Sequence, residues 1–269
     1  MKLEIISRYP KTDSEPTPLL FLHGAFCGAW VWDQYFLSYF AEQGFTVHAL
    51  SLRGHGKSDG YNKLPFTRLT DYVEDLTNTI ETMEKRPILI GHSMGGVVGQ
   101  LYLRDHILPG AVLMGSGPPY GMIVSAMTTF LTKPFLSTQL SLMHLFGSDA
   151  ESRNAMCKIV FSKNAHRVEA LNFLRRTQAE SFRVVFDLSL PHIPKNRGTP
   201  IFVIGAEEDY FVAPSMVHAT AKAYKTEAEI FSNMGHAMMA DTKWQDVADR
   251  IIKWIKDELP KVSSPGAPK

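Results

Sequence analysis

The feature that most limits the folds open to this 269-residue chain is a series of short, wholly apolar runs that end in glycine-bearing turns. Leu19-Leu20-Phe21-Leu22 empties into His23-Gly24, Pro87-Ile88-Leu89-Ile90 into Gly91-His92-Ser93, and Pro200-Ile201-Phe202-Val203-Ile204 into Gly205. Such runs are short for helices and lack the alternation of a half-solvated strand, so they read as parallel strands buried on both faces. Residues 45–50, 110–115 and 227–231 read as further strands, and residues 2–8 alternate weakly, as at a sheet edge. Helical periods lie between them, at about 30–43, 93–106, 214–224 and 243–259. Another covers 69–83, through Leu69, Tyr72, Val73, Leu76, Ile80 and Met83, with Thr70 or Asp71 able to cap its start. Strands alternating with helices predict an α/β fold, a mostly parallel central sheet with helices on both faces.

The rhythm breaks once. About eighty residues separate Ser116 from Pro200, several times an ordinary crossover. They are rich in helix formers, aromatics and Met, and read as a helical cap inserted at 117–197 into a core made of 1–116 and 198–259. The polar, proline-rich residues 260–269 read as a disordered tail. Lys plus Arg number 28 against 27 Asp plus Glu, which argues against a nucleic-acid footprint and a polybasic membrane anchor. Two distant cysteines, Cys27 and Cys157, are too few for a disulfide framework or a cysteine zinc site. No apolar run approaches a membrane span and the first residues do not resemble a signal peptide, so the expected compartment is the cytoplasm.

The chemistry concentrates at the ends of the apolar runs. Gly91-His92-Ser93-Met94-Gly95 fits G-x-S-x-G between a strand and a helix, the context in which the pattern holds a serine on a strained turn above the sheet. A serine hydroxyl needs a base, and the base an orienting carboxylate, in chain order Ser, Asp or Glu, His. His236, in Asn233-Met234-Gly235-His236-Ala237 after the last strand, is placed for the base. Glu207, Glu208 and Asp209 follow strand 201–205; Asp209 is the expected carboxylate and Glu208 its main competitor. Met94, the residue after the nucleophile, supplies one backbone N–H for an oxyanion. Ala25 in His23-Gly24-Ala25-Phe26-Cys27-Gly28 supplies the other, with Phe26 as the runner-up. His23 reads as a structural hydrogen-bonder, and Cys27 as a weak competitor for the nucleophile.

Taken together, Leu22-His23-Gly24-Ala25, Arg53-Gly54-His55-Gly56-Lys57-Ser58, Gly91-His92-Ser93-Met94-Gly95-Gly96, Gly205 with Asp209, and Gly235-His236 resemble the successive signatures of the α/β-hydrolase superfamily. The resemblance covers about 19–259, the cap excepted. It implies an α/β-hydrolase fold and a serine hydrolase cleaving carboxylic esters, similar to esterases, lysophospholipases and monoacylglycerol lipases, with no cofactor and no metal. The expected partner is a small-molecule ester. Serine at 93 departs from dehalogenases and epoxide hydrolases, which use a carboxylate nucleophile. Ala237 stands where hydroxynitrile lyases carry a lysine. Carbon–carbon bond hydrolases of aromatic degradation share the triad but usually show Asn at the position of His92; they are the alternative enzyme reading. A non-catalytic ligand-binding member of the fold is the alternative of another class.

Met122, Met127, Met143 and Met156 join Phe130, Phe135, Phe146 and Phe161 in the insertion. They can line an apolar slot for an acyl or aromatic part of the substrate, or form the cap's own core. Whichever it is, the insertion offers no second nucleophile and is expected to tune substrate choice.

Overall fold

The protein is described by a computed structural model covering residues 1–11, 15–122 and 150–259, the side chains of 150–152 excepted. Seven strands form one sheet: β1 Glu4–Arg8, β2 Leu19–Leu22, β3 Val47–Ser51, β4 Ile88–His92, β5 Ala111–Met114, β6 Ile201–Ala206 and β7 Ala228–Phe231. Their spatial order is β1-β3-β2-β4-β5-β6-β7, and every pairing is parallel except β1 against β3. The edge position of the weakly alternating residues 4–8 follows from that pattern, because an edge strand is covered less completely than a central one.

The wholly apolar runs are explained by the two cores they serve. Leu19 and Phe21 enter one cluster with helices α1 (Trp30–Asp33) and α2 (Phe36–Glu42), while Leu20 and Leu22 enter the other with α3 (Leu69–Thr82) and α4 (Met94–Tyr102). All four β2 side chains are fully buried. Each such burial stabilises by about 1.5–3 kcal/mol relative to exposure.

The helical period at 30–43 is interrupted. Trp30, Val31, Trp32, Phe36, Leu37, Phe40 and Ala41 are all buried. On one continuous helix those positions would span roughly three quarters of the circumference, too wide for one buried face. The chain solves this by breaking at Gln34 and Tyr35, so that α1 and α2 each present a narrower apolar face, and Tyr35 stacks on Trp244 at 5.0 Å. Helix α3 starts with Asp71 accepting the N–H of Arg68 at 2.8 Å, so Asp71 is the capping side chain.

The β5–β6 segment contains helices α5 (Ala150–Val160), α6 (Arg167–Arg175) and α7 (Phe182–Ser189) within its described part. After β6 come α8 (Pro214–Ala223) and α9 (Trp244–Lys253), the latter widening into a π-turn at Trp254–Glu258. The tail 260–269 lies outside the described residues. Among the described residues, no helix is long and apolar enough to cross a membrane.

The sheet order reverses direction at β2, with β3 on one side and β4 on the other. Loops leaving the carboxyl ends of strands at such a switch point diverge and leave a crevice, the usual place for a site in an open α/β sheet.

Candidate active site

Ser93 stands directly after β4 and directly before α4, with φ 51° and ψ −117°. A non-glycine residue there costs on the order of 1–3 kcal/mol and persists only where its surroundings hold it. The surroundings are tight. A Cβ on Gly95 would lie 2.5 Å from the carbonyl oxygens of Leu22 and His23, and one on Gly91 would lie 2.7 Å from the carbonyl of Gly95. The missing side chains therefore let the turn close on itself and press against the end of β2. Met94 is the first residue of α4, so its N–H has no intrahelical carbonyl to donate to.

The loop after β2 meets this turn. A Cβ on Gly24 would come within 3.1 Å of the Ser93 Cβ and 2.9 Å of His92 Nδ1. His23 is fully buried beneath the loop; its Nδ1 lies 2.7 Å from the Gly24 carbonyl oxygen, and its Nε2 3.0 Å from the Leu52 N–H. One ring nitrogen must donate and the other accept, so the proton sits on Nδ1. Burial, reinforced by His55, pushes the His23 imidazole down to about 3 and keeps it neutral. Because C=O and N–H point opposite ways across a trans peptide, drawing the Gly24 carbonyl to His23 turns the Ala25 N–H away from that ring. The runner-up, Phe26, has its N–H directed at Glu180 Oε2, 3.4 Å away. The thiol of Cys27 is pushed up to about 12 by burial and by Glu180, so it holds almost no thiolate at neutral pH.

His236 follows β7 and Asp209 follows β6. The imidazole Nδ1 donates to Asp209 Oδ2 at 2.7 Å, and Asp209 Oδ1 accepts the N–H groups of Phe211 and Val212, both at 2.8 Å. The carboxylate is thus buried with both oxygens satisfied, and it fixes His236 in the tautomer that leaves Nε2 unprotonated. The two neighbouring acids point elsewhere. Glu208 accepts the Lys163 N–H at 2.9 Å in an exposed setting, and Glu207 accepts the Asn233 N–H at 3.1 Å. Of the three acids after β6, Asp209 is the one that meets the histidine.

His92 connects the two halves. It is buried, its ring packs 4.7 Å from that of His236, and its Nε2 donates to the His236 carbonyl oxygen at 2.9 Å. Burial, with His236 beside it, holds His92 well below the ordinary imidazole range, so it is neutral and that nitrogen carries its proton. Asp241 holds the other side of the histidine loop, accepting the Gly235 N–H at 2.9 Å and the Ser162 N–H at 2.7 Å. Neither role was foreseen from sequence. His92 carries a weak signal, its place inside the serine motif; Asp241 carries none, because its partners are far from it in the chain or are backbone groups.

Both buried histidines fold with pKa values below that of the free side chain, near 6.5. The unfolded chain therefore takes up these protons first, and stability falls as pH drops below about 6.5. The ring shifts of His23 and His92 in a ¹H–¹⁵N spectrum are expected to stay constant from about pH 8 to about pH 5. A midpoint near 6.5 at either ring would contradict their assignment as neutral hydrogen-bonders.

Met156 and Phe161 are buried in the core cluster that also contains Trp30 and Phe173, so these two pack as structural residues. Met122 is half-buried beside Gly117. Met127, Phe130, Phe135, Met143 and Phe146 lie outside the described residues. Among the described residues, no group of three or more His, Cys, Asp or Glu side chains is arranged to hold a metal ion.

A profile described as "Alpha/beta hydrolase family" matches residues 19–250. The chain is 38% identical over 104 residues to a putative non-heme haloperoxidase of Mycobacterium phage D29, a match covering 36% of this chain and 35% of that protein. It therefore aligns with about a third of that relative's length. It is 23% identical over 243 residues to the proline iminopeptidase PfmaB of Pestalotiopsis fici, covering 81% and 82% of the two chains. Among solved structures, the esterase of Exiguobacterium antarcticum superposes with a TM-score of 0.71 at 17% identity, covering 95% of this chain and 96% of that one. At that identity the likeness speaks for the fold.

Proposed function

Because the chain belongs to the alpha/beta hydrolase family, we propose that it hydrolyses carboxylic esters through an acyl-enzyme formed on Ser93, with His236 as base and Asp209 as its orienting carboxylate. The observation that carries this reading is the 2.7 Å bond from His236 Nδ1 to Asp209, which leaves Nε2 as the acceptor on a loop tied to the serine turn through His92.

In the first half-reaction His236 Nε2 takes the Ser93 hydroxyl proton as the oxygen attacks the ester carbonyl. Asp209 stabilises the resulting imidazolium without itself becoming protonated. The carbonyl oxygen gathers negative charge and accepts hydrogen bonds from the N–H groups of Ala25 and Met94, aided by the positive end of α4. The C–O bond breaks and the alcohol leaves with the proton from His236. Water then enters, His236 takes its proton, and the acyl group departs as the carboxylic acid while Ser93 regains its hydrogen. The β5–β6 segment is assigned the role of a cap over the apolar part of the substrate, from its length of about eighty residues and its content of Met and Phe. Every step uses side chains and backbone groups of this chain, so the reaction needs neither metal nor cofactor.

The iminopeptidase relative, whose match covers 81% of this chain, defines the class that this reading must be tested against. A series of p-nitrophenyl esters of rising acyl length, run beside an N-terminal prolyl anilide, separates the classes. Turnover of esters, with a preference among chain lengths of roughly ten- to two-hundred-fold, is expected from an apolar acyl site. Turnover of the prolyl anilide without ester hydrolysis would overturn the ester assignment.

A further inference from the structure

The loop that carries Ala25 is gripped from its far side by a buried carboxylate that the reaction above does not use. Glu180 lies between α6 and α7 and is 5% exposed. Its Oε1 accepts the Tyr72 hydroxyl at 2.7 Å and the Ser181 N–H at 2.8 Å. Its Oε2 accepts the Phe26 N–H at 3.4 Å and lies 3.1 Å from His55 Nε2, within ion-pair distance. The other nitrogen of His55 is 3.1 Å from the Arg53 carbonyl oxygen. Two residues earlier, the Gln178 N–H donates to the Phe26 carbonyl at 2.9 Å. Its side chain accepts the Gly56 N–H at 2.9 Å and donates to the Gly54 carbonyl at 2.6 Å.

Residues 178–180 therefore hold both backbone groups of Phe26. Phe26 has φ 65°, a left-handed conformation that a bulky side chain adopts only when its surroundings impose it. The peptide before it carries the Ala25 carbonyl, and the one before that the Ala25 N–H. Changing Phe26 to an ordinary φ would rotate the loop and redirect that donor. A buried charge is a poor way to gain stability, because its desolvation offsets most of the attraction it makes. Burial by itself would push the Glu180 carboxyl up, yet His55, the Tyr72 hydroxyl and the Ser181 N–H outweigh it and hold the group below its ordinary value. The charge is kept where it touches the loop beside Ser93.

We propose that Glu180, with Gln178, is a positioning residue: the 178–180 strap locks Phe26 in its left-handed conformation and so aims the Ala25 N–H at the oxyanion. The inference rests on the reading of Ser93 as the nucleophile. The strap touches neither Ser93 nor the base, and its effect runs through Phe26. A donor aimed at the oxyanion acts mainly in the transition state, so its misplacement lowers kcat and leaves KM nearly alone.

The test uses the full-length chain as wild type and as Glu180→Gln, Glu180→Ala, Gln178→Ala and Ser93→Ala. Steady-state ester kinetics, inhibition by an alkyl trifluoromethyl ketone, and thermal melts are measured on each. The ketone adds the Ser93 oxygen to its carbonyl carbon and leaves an anionic oxygen, so it reports on the oxyanion site. Complete loss of one oxyanion donor costs about 10²–10³ in kcat, so partial misplacement in the Glu180 and Gln178 variants is expected to cost about ten- to a hundredfold. KM should stay within about threefold, and ketone affinity should fall in step with kcat/KM. If kcat and ketone affinity are unchanged in the folded variants while only the melting temperature drops, the strap is structural and the inference fails. A rise in KM at constant kcat would overturn it too, by placing the strap in substrate binding. Should Glu180→Ala not fold, Glu180→Gln and Gln178→Ala decide. Ser93→Ala separates the two levels: if it retains turnover, the nucleophile reading falls; if it abolishes turnover while the strap variants keep kcat, only this inference does.

Discussion

Replacing Ser93 or His236 with alanine is expected to lower ester turnover at least ~10³-fold, and as much as ~10⁶-fold, while the melting temperature stays near that of the wild type. The size follows from the way the groups act as a unit. Without the serine there is no acyl-enzyme, and without the imidazole the hydroxyl keeps its proton at neutral pH. The fold should tolerate the serine change. Ser93 holds a positive φ whose support comes from the glycines around it, and a smaller side chain adds no clash. His236→Ala removes a ring that packs on His92 and Phe211, but the histidine loop stays anchored by Asp241 at Gly235 and by the bond from the Ala237 N–H to the Val160 carbonyl. Both variants are measured by initial rates on the preferred ester, with circular dichroism and melting curves to establish folding. A folded Ser93→Ala protein that keeps wild-type turnover has its nucleophile elsewhere.

Asp209→Asn is expected to cost about 10³–10⁴ in kcat, whereas Glu208→Gln should stay within about twofold. The asymmetry comes from what each side chain touches. An asparagine at 209 can still accept the Phe211 and Val212 N–H groups through its carbonyl oxygen, so the turn after β6 survives. Its amide would present N–H donors to His236 Nδ1, favouring the tautomer with the proton on Nε2 and leaving Ser93 without a base. Among the described residues, the Glu208 side chain accepts the exposed Lys163 N–H, a contact that a glutamine oxygen can also make. Kinetics of both variants on the same ester decide the matter. A larger loss for Glu208→Gln would transfer the orienting role to Glu208.

Much of this architecture is written locally in the chain. Strands β2, β4, β5 and β6 are legible because each is buried on both faces, and a run without polar residues is the direct consequence. Ser93 is legible because the glycines that its strained turn requires lie within two or three residues of it. Asp209 and His236 are legible because sites gather on loops at the carboxyl edge of a parallel sheet, which narrows the candidates to a few residues. The interruption at Gln34 and Tyr35 is not legible, since it depends on how wide a buried face the sheet and α9 can cover. Glu180 and Asp241 are harder still. Glu180 meets Phe26 across 154 residues and Tyr72 across 108, and a lone acid in an ordinary polar stretch says nothing of its burial until the chain is folded. His92 falls between these cases. Its position in the serine motif is visible, but its bond to the backbone of His236 spans 144 residues.

The central claim is that Ser93 becomes covalently acylated during turnover. The most direct measurement treats the full-length protein with an alkyl fluorophosphonate, which loses fluoride as the serine oxygen bonds to phosphorus, and locates the added mass by intact and peptide mass spectrometry. The account predicts one adduct per chain, on the peptide containing Ser93, formed in step with the loss of ester hydrolysis and absent from Ser93→Ala. An adduct on another residue that accompanies inactivation, or full inactivation with Ser93 unmodified, would contradict it.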